Sequence, residues 1–542
     1  MILRRVAALG KKRGVNPTEP ASPERFRFTP QLLVFVSSAS LMILELVAAR
    51  LIARHLGNSL YTWTSVIGVM LAGLTLGNAL GGRLADRREP RATLGWLFLA
   101  ASAASVLTLL LNRGFVSYGW LSGWPWPARI FTTVLAIFLW PAVLLGLISP
   151  GAAKWAVSGA TRTGTALGSV YAWGTAGSIV GTLATGFWLV PWLGSTQVVL
   201  GVALVLALGG LALGPWRALH AGWIAALVAL LLASRGRLPP LEPAARSLGL
   251  QAEPGLLFET DSPYQHVMVY ERVFERDGKR RTIRILQIEW LEHGWLDVDD
   301  VEYLFMPFER VTRDAAERAT PAGEVPKVFV IGGGSYTFPR WVLRRWPGAE
   351  VLVAEIDPGV TEANHAALGL PRDTAIRTVA LDARNAVAEF EPERRFELIY
   401  GDAYSSFSMP YQLATVEFVR ELSAHLTDSG SYVVNVIDDW QSGRVVGAFV
   451  ATLEQVFPYV YVFSAERSGP PQGMNNFILV ARRAPMPTFD WKRGHTGPMH
   501  GSLIPKEEMA ELKRRPGVCV LTDEHAPLES LIAPALSRMR AE

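Results

Sequence analysis

Hydrophobic positions are spread very unevenly along the 542 residues. Up to residue 236 long apolar runs follow one another with little between them; beyond it the runs shorten and charges separate them. Seven early runs, at 31–53, 62–82, 93–111, 129–150, 166–190, 196–213 and 217–234, approach the length that crosses ~30 Å of hydrocarbon as a helix. The last two are short, and a tight hairpin is expected there. Small residues recur at helical spacing in the second run (Gly68, Gly73, Gly77, Gly81) and the fifth (Gly174, Gly177, Gly181, Gly186), which lets helices approach backbone to backbone in lipid.

In the later half the pattern changes period. Tyr264 to Tyr270 and Arg281 to Ile288 read as strands, with Asp277-Gly278 as a hairpin turn between them. Asp299 to Tyr303 leads into a helix that ends before a charged loop at 310–326. Val328 to Ile331 is an unbroken apolar run, as a fully buried parallel strand should be. Gly332-Gly333-Gly334 lets the chain turn sharply there, a helix through Trp341 to Trp346 follows, and Val351 to Ala354 forms the next strand. Glu355 stands at its end, about 20 residues after the glycines, where an acid can take a ribose hydroxyl pair. Further strands are expected at 379–383, ending in the region of Asp382, at 396–402, ending in Asp402, and at 432–437, 460–464 and 477–481, with an amphipathic helix at 415–426. Acids at successive strand ends line the crevice where open α/β sheets bind ligands, although each alone could simply cap the helix that follows.

The expected architecture is therefore a multi-span α-helical membrane domain of about seven spans, followed by a soluble α/β Rossmann-type domain with a small β lid before it. The expected divisions are a basic tail at 1–30, the membrane domain at 31–236, a linker at 237–255, the lid at 256–324, the nucleoside-binding domain at 325–485 and a C-terminal extension at 486–542.

Charge adds a conflict over orientation. The tail carries Arg4, Arg5, Lys11, Lys12, Arg13, Arg25 and Arg27 without a long apolar core, so it reads as a basic segment held at an anionic membrane face. Arg and Lys also cluster at 83–91 and at Lys154 and Arg162; the rule that positive loops stay inside puts all of these in the cytoplasm. Seven crossings would then deliver the soluble half outside, yet a nucleoside ligand is met inside the cell, and a cytoplasmic soluble half is the expectation. Glu45 lies within the first run, with Arg50 and Arg54 beyond it, and an ionisable group there faces a partner or a polar cavity.

Composition excludes little more. The net charge of +4 comes with no basic face interleaved with aromatics, so no nucleic-acid partner is expected. One cysteine, Cys519, allows no internal disulfide, and nine histidines without a HxH or HxxxH pair give no metal site.

The soluble half resembles the spermidine synthase family, aminopropyltransferases on a methyltransferase-type fold. Tyr264-Gln265, Val330-Ile331-Gly332-Gly333-Gly334, Glu355-Ile356-Asp357-Pro358, Asp382-Ala383 and Asp402 carry the resemblance, over about residues 256–482. The membrane half, through Glu45…Arg50, Trp63-Thr64-Ser65, the stretch Gly81 to Arg87 and Gly177 to Gly181, is similar to multi-span proteins fused to such a domain. The Gly81 to Arg87 loop also looks like one in major facilitator transporters.

The resemblance implies roles. Glu355 would hold the ribose, Asp382 and Ala383 the adenine, and Gln265 the nucleoside from the lid, with Gly332, Gly333, Gly334 and Ser335 beside it. Asp402 would orient and deprotonate an attacking amine, and Tyr264 would line the aminopropyl pocket; His293, Tyr303, Tyr404 and Tyr411 complete the candidate set on the acceptor side. The co-substrate would be S-adenosylmethionine or its decarboxylated form, the leaving group methylthioadenosine, the acceptor a small amine or polyamine, and the assembly a homodimer at the bilayer. The family's acid directly after the three glycines is replaced here by Ser335, which could instead accept the carboxylate of S-adenosylmethionine itself. Two further readings stay open: a methyltransferase acting on a membrane-delivered substrate, and a transporter or sensor that binds a nucleoside or polyamine without turnover.

Overall fold

The computed structural model describes residues 29–538 apart from 119–120, 122–123, 159, 214–216, 248–249, 251–254, 277, 302, 321–322, 406–407, 466–472 and 487–499. Residues 1–28 of the basic tail and the first residue of the Asp277-Gly278 turn therefore lie outside the described residues.

Seven helices are long and apolar enough to cross a membrane: Thr29–Leu56, Leu60–Arg87, Pro90–Gly114, Trp126–Ser158, Thr163–Leu193, Ser195–Leu213 and Arg217–Ser234. The glycine stripes explain which of them touch. A Cβ at Gly77 would fall 2.4 Å from the carbonyl oxygen of Val143 in the fourth span, and one at Gly177 would fall 2.3 Å from that of Phe35 in the first. Gly73 and Gly81 share the first contact and Gly174 and Gly181 the second, whereas Gly68 and Gly186 face open space and pack nothing. Glu45 is half-buried, and among the described residues no ion pair reaches it.

The lid is an antiparallel sheet of β1 (Leu256–Asp261), β2 (His266–Arg276), β3 (Lys279–Ile288) and β4 (Leu291–Asp297). Its apolar face, with Val267, Val269, Leu286 and Ile288, packs on the helix Pro358–Ala366. The charged stretch after it is a helix, Pro307–Ala319, and not the loop expected at 310–326. Pro307 opens its first turn, Glu309 accepts the Met306 amide, and Val311, Ala315 and Ala316 form a buried stripe; these local terms outweigh the polar composition.

The main sheet contains β5 (Lys327–Ile331), β6 (Glu350–Ala354), β7 (Arg377–Val379), β8 (Phe396–Gly401), β9 (Leu426–Asp439), β10 (Tyr459–Ser464), β11 (Met474–Arg482) and β12 (Ser502–Leu503). Their order is β12-β10-β11-β9-β8-β5-β6-β7, with β9 through β7 parallel and the rest antiparallel. The chain leaves β5 toward β6 on one side and later returns to place β8 on the other. That is the point at which a crevice opens at the carboxyl ends of parallel strands. The third strand sits earlier than its apolar residues suggest: β7 ends at Val379, and Asp382 caps the helix Ala383–Ala388.

The two halves are joined by more than the linker. Arg54 of the first span grips Asp261 with both carboxylate oxygens at 2.7 Å, and the Ser195 amide at the head of the sixth span donates to the same carboxylate at 2.6 Å. Glu529, on the C-terminal helix Leu528–Arg538, accepts the Leu60 amide at the start of the second span.

Candidate active site

The crevice at the strand ends is a cleft of about 330 Å³ roofed by the lid. Its floor is the glycine turn. Gly332 has φ 92° and Gly334 φ 51°, and a Cβ on Gly332 would strike the Asp402 carbonyl oxygen at 2.6 Å, so β5 and β8 can diverge here only with glycine.

Glu355, at the end of β6, braces this turn. One carboxylate oxygen accepts the Gly333 amide at 2.7 Å and the other the Asp357 amide at 2.9 Å. Burial nevertheless pushes it up to about 7. Each oxygen keeps a lone pair for a hydroxyl, so Glu355 both shapes the turn and lines the cleft. Asp382 is similar: one oxygen accepts the Arg384 amide at 2.9 Å, the other the Gln412 side-chain amide at 3.2 Å, and Ala383 beside it lines the wall.

Asp402 follows β8 and is held from two sides. Asn435 Nδ2 donates to Oδ1 and the Tyr400 hydroxyl to Oδ2, both at 2.9 Å. Asn435 is fixed in turn by the Asn476 side-chain amide at 3.0 Å. Burial raises Asp402 to about 6, against the lowering by these two hydrogen bonds. The result is a carboxylate of fixed orientation that is still ionised near neutrality and more basic than an exposed one.

Tyr264, Gln265 and His293 enter from the lid. The Tyr264-Gln265 turn is clamped by Ser262: its Oγ accepts both amides at 3.0 and 2.9 Å and donates to Asp357 Oδ2 at 2.6 Å. Arg50 of the first span donates to the Ser262 carbonyl at 2.7 Å and the Pro263 carbonyl at 3.3 Å. The first span therefore positions the lid's contribution to the cleft, and Asn58, in the turn after that span, lines it directly. Arg54→Leu would strand Asp261, which is held well below the usual carboxylate range by Arg54 and His266 against its burial. Breaking such a buried pair costs about 3–5 kcal/mol. We expect a clear drop in thermal midpoint together with weakened ligand binding in the cleft; a loss of stability with binding unchanged would detach the clamp from the cleft.

His293 is neutral near pH 7, because burial lowers it to about 4, and its Nε2 is buried without a partner in a residue that lines the cleft. Tyr404 lines it as a wall: its hydroxyl donates to the Asn435 carbonyl at 2.8 Å and accepts the Ile437 amide at 3.0 Å. Two expected residues lie elsewhere. Tyr303 does not reach the cleft; the guanidinium of Arg281 stacks on its ring at 3.5 Å and Phe305 packs at its edge. Tyr411 stands 56 % exposed outside it, while its neighbours Pro410 and Gln412 form the wall.

Ser335 is 2 % exposed, its hydroxyl bonded to Thr337 Oγ1 at 3.4 Å and pressed against Gly294 of the lid. Beside it is an acid the sequence reading passed over. Glu309 accepts from Thr337 Oγ1 at 2.6 Å, lines the cleft, and is pushed up to about 7 by burial and the nearby Asp402 charge. The signal for it was local: Met306-Pro307-Phe308-Glu309 is a helix start with a glutamate at the third position.

No protein-family profile matches the chain. A polyamine aminopropyltransferase 2 from Streptomyces coelicolor is 26 % identical over 518 residues, covering 87 % of this chain and 88 % of its own. A polyamine aminopropyltransferase from Thermococcus kodakarensis is 27 % identical over 222 residues, 38 % of this chain and 70 % of its own. The crystal structure of spermidine synthase from Thermotoga maritima aligns with a TM-score of 0.32 at 16 % identity, over 48 % of this chain and 84 % of that one.

Proposed function

We propose that this spermidine synthase-like protein is a membrane-anchored transferase that moves an aminopropyl group from a sulfonium nucleoside to a small amine, releasing methylthioadenosine. The observation that carries the proposal is Asp402: a buried carboxylate, oriented by Asn435 and Tyr400, in the cleft that also holds Glu355, Asp382 and the glycine turn. The relatives along the chain are named for the same transfer.

In this reading Glu355 takes the ribose hydroxyl pair, while Asp382, Ala383 and Gln265 surround the base. Asp402 accepts a hydrogen bond from the amine, aligns its lone pair with the carbon beside sulfur, and receives the amine's proton as charge develops on nitrogen. The nucleoside supplies the electrophile: the carbon–nitrogen bond forms as the carbon–sulfur bond breaks, and the electron pair leaves on sulfur. No acid or metal is needed for a thioether leaving group.

Of the two nucleosides, the decarboxylated one is the better fit. Ser335 turns its hydroxyl to Thr337, and Glu309 sits on the same threonine, so a ligand carboxylate there would meet a second carboxylate. Ser335, turned to Thr337, no longer favours the methyltransferase reading as a carboxylate receptor. The soluble half is proposed to face the cytoplasm, where such nucleosides are made, although Arg83, Arg87, Arg88, Lys154 and Arg162 lie at the span ends away from the lid.

Incubating the full-length protein with S-adenosylmethionine or its decarboxylated form, plus 1,4-diaminobutane, tests the reading. Methylthioadenosine from the decarboxylated form is expected. S-adenosylhomocysteine would make the protein a methyltransferase, and an unchanged nucleoside would make it a binder.

A further inference from the structure

The lid has a second polar face. Strand alternation sends Gln265 and Ile288 into the nucleoside cleft and sends His266, Gln287 and Glu289 the other way. There, between the lid and the first, third, fifth and sixth spans, lies a crevice of about 790 Å³. Leu51, Leu109, Val190 and Leu193 give it apolar walls from the spans, and Met268 adds one from the lid.

Most of its charges are matched. Arg54 is paired with Asp261 through both oxygens. His266 directs Nδ1 to Asp261 at 2.9 Å and Nε2 to Glu259 at 3.3 Å, and its contacts with both carboxylates raise it above the ordinary histidine range despite burial. Arg113 donates to the Arg246 carbonyl, and His55 lies on the same wall.

Two acceptors are left over. Glu289 is 5 % exposed; its Oε1 takes the His266 amide at 3.1 Å, but Oε2 is buried with no partner. Asn112, 6 % exposed in the third span, gives Nδ2 a long contact of 3.5 Å to the Leu51 carbonyl and leaves Oδ1 without a donor. A buried acceptor without a donor costs about 1–3 kcal/mol, more when it is charged. Glu289 also holds φ 54°, a left-handed conformation that costs a side-chain-bearing residue of order 1 kcal/mol and that the tight β3–β4 turn imposes.

We propose that this crevice is a second ligand site, separate from the nucleoside cleft, that takes a primary ammonium on an aliphatic stem, with Glu289 and Asn112 receiving the ammonium protons. The ammonium supplies the donors that Glu289 Oε2 and Asn112 Oδ1 lack, and the leucine walls take the stem. Its source is either a free diamine or the ethanolamine headgroup of a lipid, since the crevice is walled by the membrane helices. Nothing in this depends on the reaction assigned to the cleft.

The test is calorimetric titration of the full-length protein with 1,4-diaminobutane, in detergent and in nanodiscs with or without phosphatidylethanolamine. We expect a binding event that Glu289→Gln weakens at least about tenfold, the loss of one charge-assisted contact, and that Asp402→Asn leaves in place. Suppression of that event by phosphatidylethanolamine assigns the site to the headgroup; no suppression assigns it to the free amine. Asn112→Leu serves as the second variant should Glu289→Gln fail to fold. Isotherms identical in wild type and a folded variant, with no lipid dependence, would overturn the proposal. Its failure is separate from failure of the transferase reading, which shows as absence of methylthioadenosine.

Discussion

Asp402→Asn should lower methylthioadenosine release by about 10²- to 10⁴-fold, the range over which a positioned general base acts, and leave nucleoside affinity nearly unchanged. The asymmetry follows from where the carboxylate lies. It follows β8, while Glu355, proposed for the ribose, follows β6, and Asp382 and Ala383, proposed for the adenine, follow β7. Asparagine keeps the volume and can still contact Tyr400 and Asn435, so the fold should tolerate it; what it lacks is a site for the amine's proton. The pH profile carries the same information. Burial raises Asp402 to about 6, so the base is ionised above that value and lost below it. The wild-type rate with saturating amine should therefore fall as pH drops through about 6, and the residual rate of the variant should lack that limb. Full activity in Asp402→Asn, or an acid limb that survives it, would remove Asp402 from the chemistry.

Much of this cleft could be read from one stretch of sequence. Val328 to Pro358 combines a fully apolar strand, three glycines, a helix and a strand-end acid, and each local preference points to the same βαβ unit. The seven long apolar helices were equally legible, because length and hydropathy decide them. What the residues alone did not show came from contacts between distant segments. Arg50 and Arg54 were conspicuous at the end of a span, but their partners, Ser262, Pro263 and Asp261, lie more than 200 positions later. Asp382 looked like the end of a strand because Val379, Ala380 and Leu381 are apolar; the backbone instead leaves the sheet at Val379 and the acid caps a helix. Tyr303 was placed by resemblance, and an arginine stack claimed it. Glu309 was hidden by composition, since its helix carries five other charged residues between 310 and 318 and reads as a loop unless the Met306-Pro307-Phe308-Glu309 start is weighed.

Glu309→Gln should invert the preference of the cleft between the two sulfonium nucleosides, weakening the decarboxylated form by about 100-fold and improving S-adenosylmethionine. The estimate corresponds to about 3 kcal/mol, the low end of what breaking a buried charge pair costs. With serine at 335, Glu309 is the acid on the cleft wall beside the glycine turn that can face the ammonium of an aminopropyl arm; Thr337 fixes one of its oxygens at 2.6 Å and the Met306 amide holds the other. In the empty cleft this charge is unfavourable, and burial raises the group to about 7 from an ordinary 4.5. A raised carboxyl stabilises the fold only while protonated. Relative to Glu309→Gln, the empty wild type should therefore lose roughly 3 kcal/mol of stability, the free-energy equivalent of that shift, as pH rises from the ordinary carboxylate range through about 7. A bound ammonium reverses the sign by favouring the ionised form, so nucleoside binding between pH 6 and 7 should release a proton. Calorimetry in two buffers of different ionisation enthalpy reads that proton directly, and the variant should release fewer, because Glu355 and Asp402 in the same cleft still titrate. Equal proton release in wild type and variant, or unchanged selectivity between the nucleosides, would place the ammonium elsewhere and return Glu309 to its role as a helix cap.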